Sequence, residues 1–73
     1  MNKQKFDIKN LEDHPKIIII EPWAEEIILE SGKLVSLQIL SDKEGNLEFF
    51  LEQSCIIIYA WDGCVIDYNL FDI

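Results

Sequence analysis

A chain of 73 residues holds one domain, and a fold of that size buries only roughly 60% of the surface its unfolded chain exposes. It is expected to be marginal alone and to gain from a disulfide, a metal or a partner subunit. Apolar residues make up 49% of the chain, which excludes disorder, and the net charge of −8 disfavours binding to nucleic acid or to an anionic membrane surface.

Residues 1–15 read as an amino-terminal arm, in which Phe6, Ile8 and Leu11 offer a short edge strand as the alternative. Residues 16–73 read as a single β domain. No apolar stretch follows Lys3, Lys5 and Lys9, so no signal peptide is expected. No run approaches the ~20 apolar residues that span a bilayer. The expected compartment is the cytoplasm, with Cys55 and Cys64 as reduced thiols. Charge is uneven: after residue 16, Lys33 and Lys43 stand against eleven acids, and arginine is absent.

From Lys16 onward isoleucine, valine and aromatics are dense, turn residues recur at short intervals, and no stretch keeps a helical period. The pattern predicts an all-β fold: an antiparallel meander of six to seven strands, rolled into a small barrel or sandwich. Glu21-Pro22-Trp23-Ala24 breaks the first apolar run, because proline cannot donate to a central ladder. Three hairpins are predicted beyond it. Glu30-Ser31-Gly32-Lys33 would pair Ile28 with Val35. A bulged loop with left-handed Gly45 would pair Ile39 with Phe49 and Leu37 with Leu51. Asp62-Gly63 would pair Trp61 with Cys64, Tyr59 with Ile66 and Ile57 with Tyr68.

Several strands are apolar on both faces, among them Ile27-Ile28-Leu29 and Ile56-Ile57-Ile58. A single sheet with one wet face would not need this. Closure of the sheet or cover by another chain is therefore expected, and a homodimer is inferred. Leu34, Leu40 and Phe50, behind the main core, form the expected dimer face.

Little in the chain points to catalysis. Cys55 and Cys64 lie six ladder positions apart in the predicted hairpin, roughly 20 Å, which is beyond a disulfide. His14 is the sole histidine; it precedes Pro15 in a loop and lacks metal-binding spacing. Gly32, Gly45 and Gly63 are all used by turns, leaving no phosphate loop. No catalytic residue, metal or cofactor is assigned. The most distinctive segment, residues 21–26, reads as a corner with Trp23 capping the core, and a binding role for Trp23, Glu21 and Glu25 is the alternative. Asp67, beside Val65 on an otherwise apolar face, is expected to reach solvent. Glu21, Trp23, Glu25, Trp61 and Asp67 are thus the candidate partner or ligand contacts.

The run Ile17-Ile18-Ile19-Ile20-Glu21-Pro22-Trp23-Ala24-Glu25-Glu26, followed by short strands to Trp61-Asp62-Gly63, resembles small uncharacterised bacterial proteins with an E-P-W-A-E-E segment. The resemblance covers about residues 17–68 and implies no activity. The predicted meander is also similar to half of a cupin barrel, although no strand carries the histidines of metal-dependent cupins. The expected function is that of a non-enzymatic acidic interaction protein, a homodimer meeting a basic protein partner in an immunity-like or regulatory role. The alternative is a small-molecule binding module with Trp23, Tyr59, Trp61 and Tyr68 lining a cavity.

Overall fold

In the computed structural model, which describes residues 2–73, seven strands form two sheets. They are β1 (Asn2–Lys9), β2 (Lys16–Glu21), β3 (Glu25–Leu29), β4 (Lys33–Ser41), β5 (Glu48–Leu51), β6 (Cys55–Tyr59) and β7 (Val65–Asp72). Sheet A has the order β1-β4-β7 and sheet B the order β3-β2-β6-β5, so each keeps two free edges and neither closes into a barrel. The shortest dimension of the chain is 15 Å, enough for two sheets packed ~10 Å apart and for no third layer. Of the two readings of the amino-terminal residues, residues 2–9 take that of an edge strand, paired antiparallel with β4.

The sandwich follows from period-2 alternation. In β4, Val35, Leu37, Ile39 and Ser41 point inward and are buried, as the first three were predicted to be. In sheet B the inward set is Ile18, Ile20, Ile27, Leu29 and Ile58, each at most 3% exposed. Phe6, Ile8, Leu47, Ile56 and Ile66 pack around this core. Each fully buried aliphatic side chain stabilises the fold by roughly 1.5–3 kcal/mol. The strands β2 and β6 run parallel, with Ile18 beside Ile56 and Ile20 beside Ile58. Their isoleucines lie on both sides of each strand, as centrally placed parallel strands require.

The three predicted hairpins are not hairpins. All three turns carry the chain from one sheet to the other. Val35 pairs with Ile8 and Leu70 rather than with Ile28, Leu37 with Phe6 and Tyr68 rather than with Leu51, and Ile39 with Gln4 and Ile66 rather than with Phe49. Ile57 pairs with Ile19 and Phe50 rather than with Tyr68. The turn chemistry itself is present in two of them: Gly32 and Gly63 have φ of 76° and 89°, the left-handed region that suits glycine. Gly45 is not left-handed. It is required for another reason, since an added Cβ would fall inside the Trp61 indole packed against it. The true hairpins lie elsewhere, with β2 joined to β3 through Pro22-Trp23-Ala24 and β5 joined to β6 through Glu52-Gln53-Ser54. In the first, Glu21–Pro22 is cis, Ala24 has φ of 54°, and the Ala24 N–H donates to Glu21 Oε1 at 2.9 Å.

Two polar groups pin the corners. Asn10, 2% exposed, donates from Nδ2 to the carbonyls of His14 and Leu29, both at 2.9 Å, and its Oδ1 accepts from the Glu12 N–H at 3.0 Å. Its backbone also bonds to Lys33 and Gly32, so one residue ties the β1–β2 crossing to the β3–β4 crossing. At the opposite end Trp61 Nε1 donates to Ser41 Oγ at 3.0 Å and lies 3.2 Å from the Lys43 carbonyl. Both buried groups are satisfied, as burial demands.

Candidate interaction face

The parity that buries Ile18, Ile20 and Ile58 turns their strand neighbours outward. On the outer face of sheet B, Ile28, Ile17 and Cys55 line up in one row across β3, β2 and β6. The next row holds Glu26, Ile19, Ile57 and Phe50, and the last holds Glu21, Tyr59 and Glu48. Ile28 is 59% exposed and Phe50 48%, while Ile19 and Ile57 between them are partly buried. Phe50 and Tyr59 meet edge to face, with ring centroids 5.6 Å apart, an arrangement aromatic pairs favour. The result is a contiguous apolar surface on a rigid four-stranded sheet.

Acids surround it. Glu21, Glu26 and Glu48 project from the face at three strand ends, and the exposed Glu52 follows β5. No outward position of β2, β3, β5 or β6 is a lysine. Lys3, Lys5 and Lys9 stand on the outer face of sheet A, opposite Leu40, Gln38 and Leu34. Lys33 is paired with Asp72, and Lys16 with Glu12 at 2.7 Å. The hydrogen bond and charge of Lys16 hold the Glu12 carboxyl below its ordinary pKa.

The residues singled out from sequence do not converge. Glu21 lies on the rim of this face, and Trp23, 48% exposed, sits at the β2–β3 turn instead of capping the core. Glu25 opposes Ile20 on the inward side of edge strand β3 but remains exposed. Trp61 is committed to its corner, and Asp67 stands exposed on the outer face of sheet A beside Gln38. Leu34 and Leu40 belong to that same outer face, whereas Phe50 belongs to sheet B. These three therefore cannot form one dimer surface. Trp23 lies at the β2–β3 turn, Tyr59 on the outer face of sheet B beside Glu21, Trp61 at its corner and Tyr68 on β7 facing the sandwich interior. Both cysteines are free, but not by the predicted ladder geometry: the length of β6 and a corner separate them, with Cys55 at the start of that strand and Cys64 beyond its end. His14 is half exposed, 3.6 Å from Glu12 and 3.3 Å from Asp13.

Among the described residues no three His, Cys, Asp or Glu side chains gather as a metal site, and no helix is long and apolar enough to cross a membrane. The face centred on Ile57 was readable in part. Its strands were already apolar on both sides, and only the assignment of strands to sheets was needed to say which residues look outward. No known protein family, curated protein or solved structure matches the chain.

Proposed function

We propose that the protein is a non-enzymatic interaction module whose outer sheet B face docks on a basic protein partner. One observation carries the reading: an apolar surface of exposed Ile17, Ile28, Phe50 and Tyr59 around the partly buried Ile19 and Ile57 is ringed by glutamates and free of lysine. Contiguous exposed apolar area rimmed by polar groups is characteristic of interaction sites. The glutamates would steer a cationic surface toward it and fix its orientation, while the isoleucines and aromatics would supply the buried centre. A second copy of the same chain suits this face poorly, because its acidic rim would oppose itself. The aromatic residues of the small-molecule alternative are spread over a turn, both sheets and a corner, which favours the docking reading.

The test is affinity capture from an extract of the source cells with the wild-type chain and with Ile57→Lys. Ile57→Lys places a cation at the centre of the face, on the outer side of β6. The expected result is a protein with a basic surface that is retained at low salt, released as salt rises, and lost with Ile57→Lys. Capture that is indifferent to both salt and the substitution would overturn the proposal.

A further inference from the structure

The four free edges of the sandwich are not equally guarded. Along β1 stand Lys3, Lys5 and Lys9; β3 opens with Glu25 and Glu26; β5 has only four residues and lies between Glu48 and Glu52. Charges and short length are the usual protection of an edge strand against pairing with another chain. The remaining edge, β7, runs for eight residues, Val-Ile-Asp-Tyr-Asn-Leu-Phe-Asp, twice the length of β5; it has neither proline nor lysine, and Asp67 is its one charge away from the strand end at Asp72. Only β4 pairs with it. Leu70 and Tyr68, on the side of β7 that faces the sandwich interior, are 50% and 36% exposed, and Val65 and Phe71 on the other side are 58% and 52% exposed.

From this we infer that β7 pairs antiparallel with β7 of a second copy of this chain, about a twofold axis at Tyr68. The sequence of β7 is complementary to its own reverse in that register. Tyr68 meets Tyr68 of the second copy, Ile66 meets Leu70, Val65 meets Phe71, and Asp67 meets Asn69, whose amide can donate to the carboxylate. Apolar residues oppose apolar ones on both faces, and no two like charges stand opposite each other. Shifting the axis by one residue to Asn69 sets Ile66 against Asp72 and Asp67 against Phe71, which wastes the match. Pairing joins the two copies of sheet A into one six-stranded sheet and sets the exposed Tyr68 and Leu70 beside apolar residues of the second copy. It leaves the outer face of sheet B of each copy free, so this inference is independent of the function proposed above.

A single strand pair gives an interface at the small end of the stable range, so the mass should be followed from about 1 to 200 µM. Light scattering is expected to show a monomer at the dilute end and a dimer at the concentrated end. Tyr68→Lys, which sets two cations on the axis, should stay monomeric throughout, whereas Ile57→Lys should dimerise as the wild type does. The register is tested by cross-linking in a Cys55→Ser, Cys64→Ala background. Tyr68→Cys should form a disulfide-linked dimer on oxidation, because directly opposed Cβ atoms lie ~4.5–5.5 Å apart. Val65→Cys should not, since its counterpart would lie six residues, roughly 20 Å, away. A wild-type chain that is monomeric at every concentration would overturn the inference. So would a dimer that survives Tyr68→Lys but is lost with Ile57→Lys.

Discussion

The two outer faces of the sandwich are built on the same alternation and end up chemically opposite. Across the middle of sheet A, Asp7, Ser36 and Asn69 form one row and Lys5, Gln38 and Asp67 the next, so the centre is wet and apolar residues stand only at the ends. Across the middle of sheet B, Ile19, Ile57 and Phe50 stand together, and the charges are pushed to the rim. Neither arrangement is needed to close the core, which lies between the sheets. The difference leaves the outward isoleucines of sheet B outside the core between the sheets, and the proposed docking rests on that feature.

The sharpest way to break that comparison is to truncate adjacent residues of β6. Ile58→Ala, in the core, should cost about 3 kcal/mol of unfolding free energy. Ile57→Ala, one residue away and facing outward, should cost under about 1 kcal/mol. Urea denaturation followed by tryptophan fluorescence measures both. Equal losses would mean that the outer face is structural after all.

A smaller effect tests the corners that hold the two sheets face to face. Gly45→Ala forces a methyl group into the Trp61 ring and should destabilise the fold by about 2 kcal/mol. Combined with Trp61→Leu it should be much less costly than the sum of the two single changes, because one substitution removes what the other collides with. Additive losses would place the strain of Gly45→Ala elsewhere.

The smallest effect concerns the loop between β1 and β2. Lys16 keeps the folded-state pKa of Glu12 below its unfolded value. The stabilisation is therefore present above the unfolded pKa, about 4.3, and is lost as pH falls through the folded value. Glu12→Gln should shallow the acid limb of the stability profile and leave neutral pH nearly unchanged, as expected for an exposed pair. An unaltered acid limb would mean that the pair contributes nothing in solution.

Much of this could be read from the sequence, and most of the missing part has one physical origin. The alternation of Val35, Leu37 and Ile39 against Ser36 and Gln38 identified the inward side of β4 correctly, and the positive φ of Gly32 and Gly63 agrees with the turns predicted there. Alternation says which side chains face the core. It does not say whether the next strand lies beside the first or across from it, since both placements satisfy the same pattern. Gly63 therefore marked a reversal at a place where the chain changes sheets. The hairpin through Pro22-Trp23-Ala24 was hidden for a different reason: Ala24 takes a left-handed conformation that its residue type does not announce. Asn10 was missed because an asparagine in a polar loop looks like any other until its two carbonyl partners, 4 and 19 residues away, are brought beside it. The same gap dispersed the candidate contacts. Glu21 and Phe50 were named, but the isoleucines between them become a surface only when β2 and β6 are neighbours.

That neighbourhood also sets a constraint in time. Ile17 is hydrogen-bonded alongside Cys55, so the centre of sheet B joins segments separated by about half of the chain. A chain emerging from the ribosome can offer β2 only β3 as a partner until β6 has been made. Contacts this distant in sequence must wait for a costly loop closure and make folding slow relative to chains of local hairpins. A fragment ending before Cys55 should therefore expose the isoleucines of β2 and depend on chaperones or proteases, whereas the full chain should fold in a single late step.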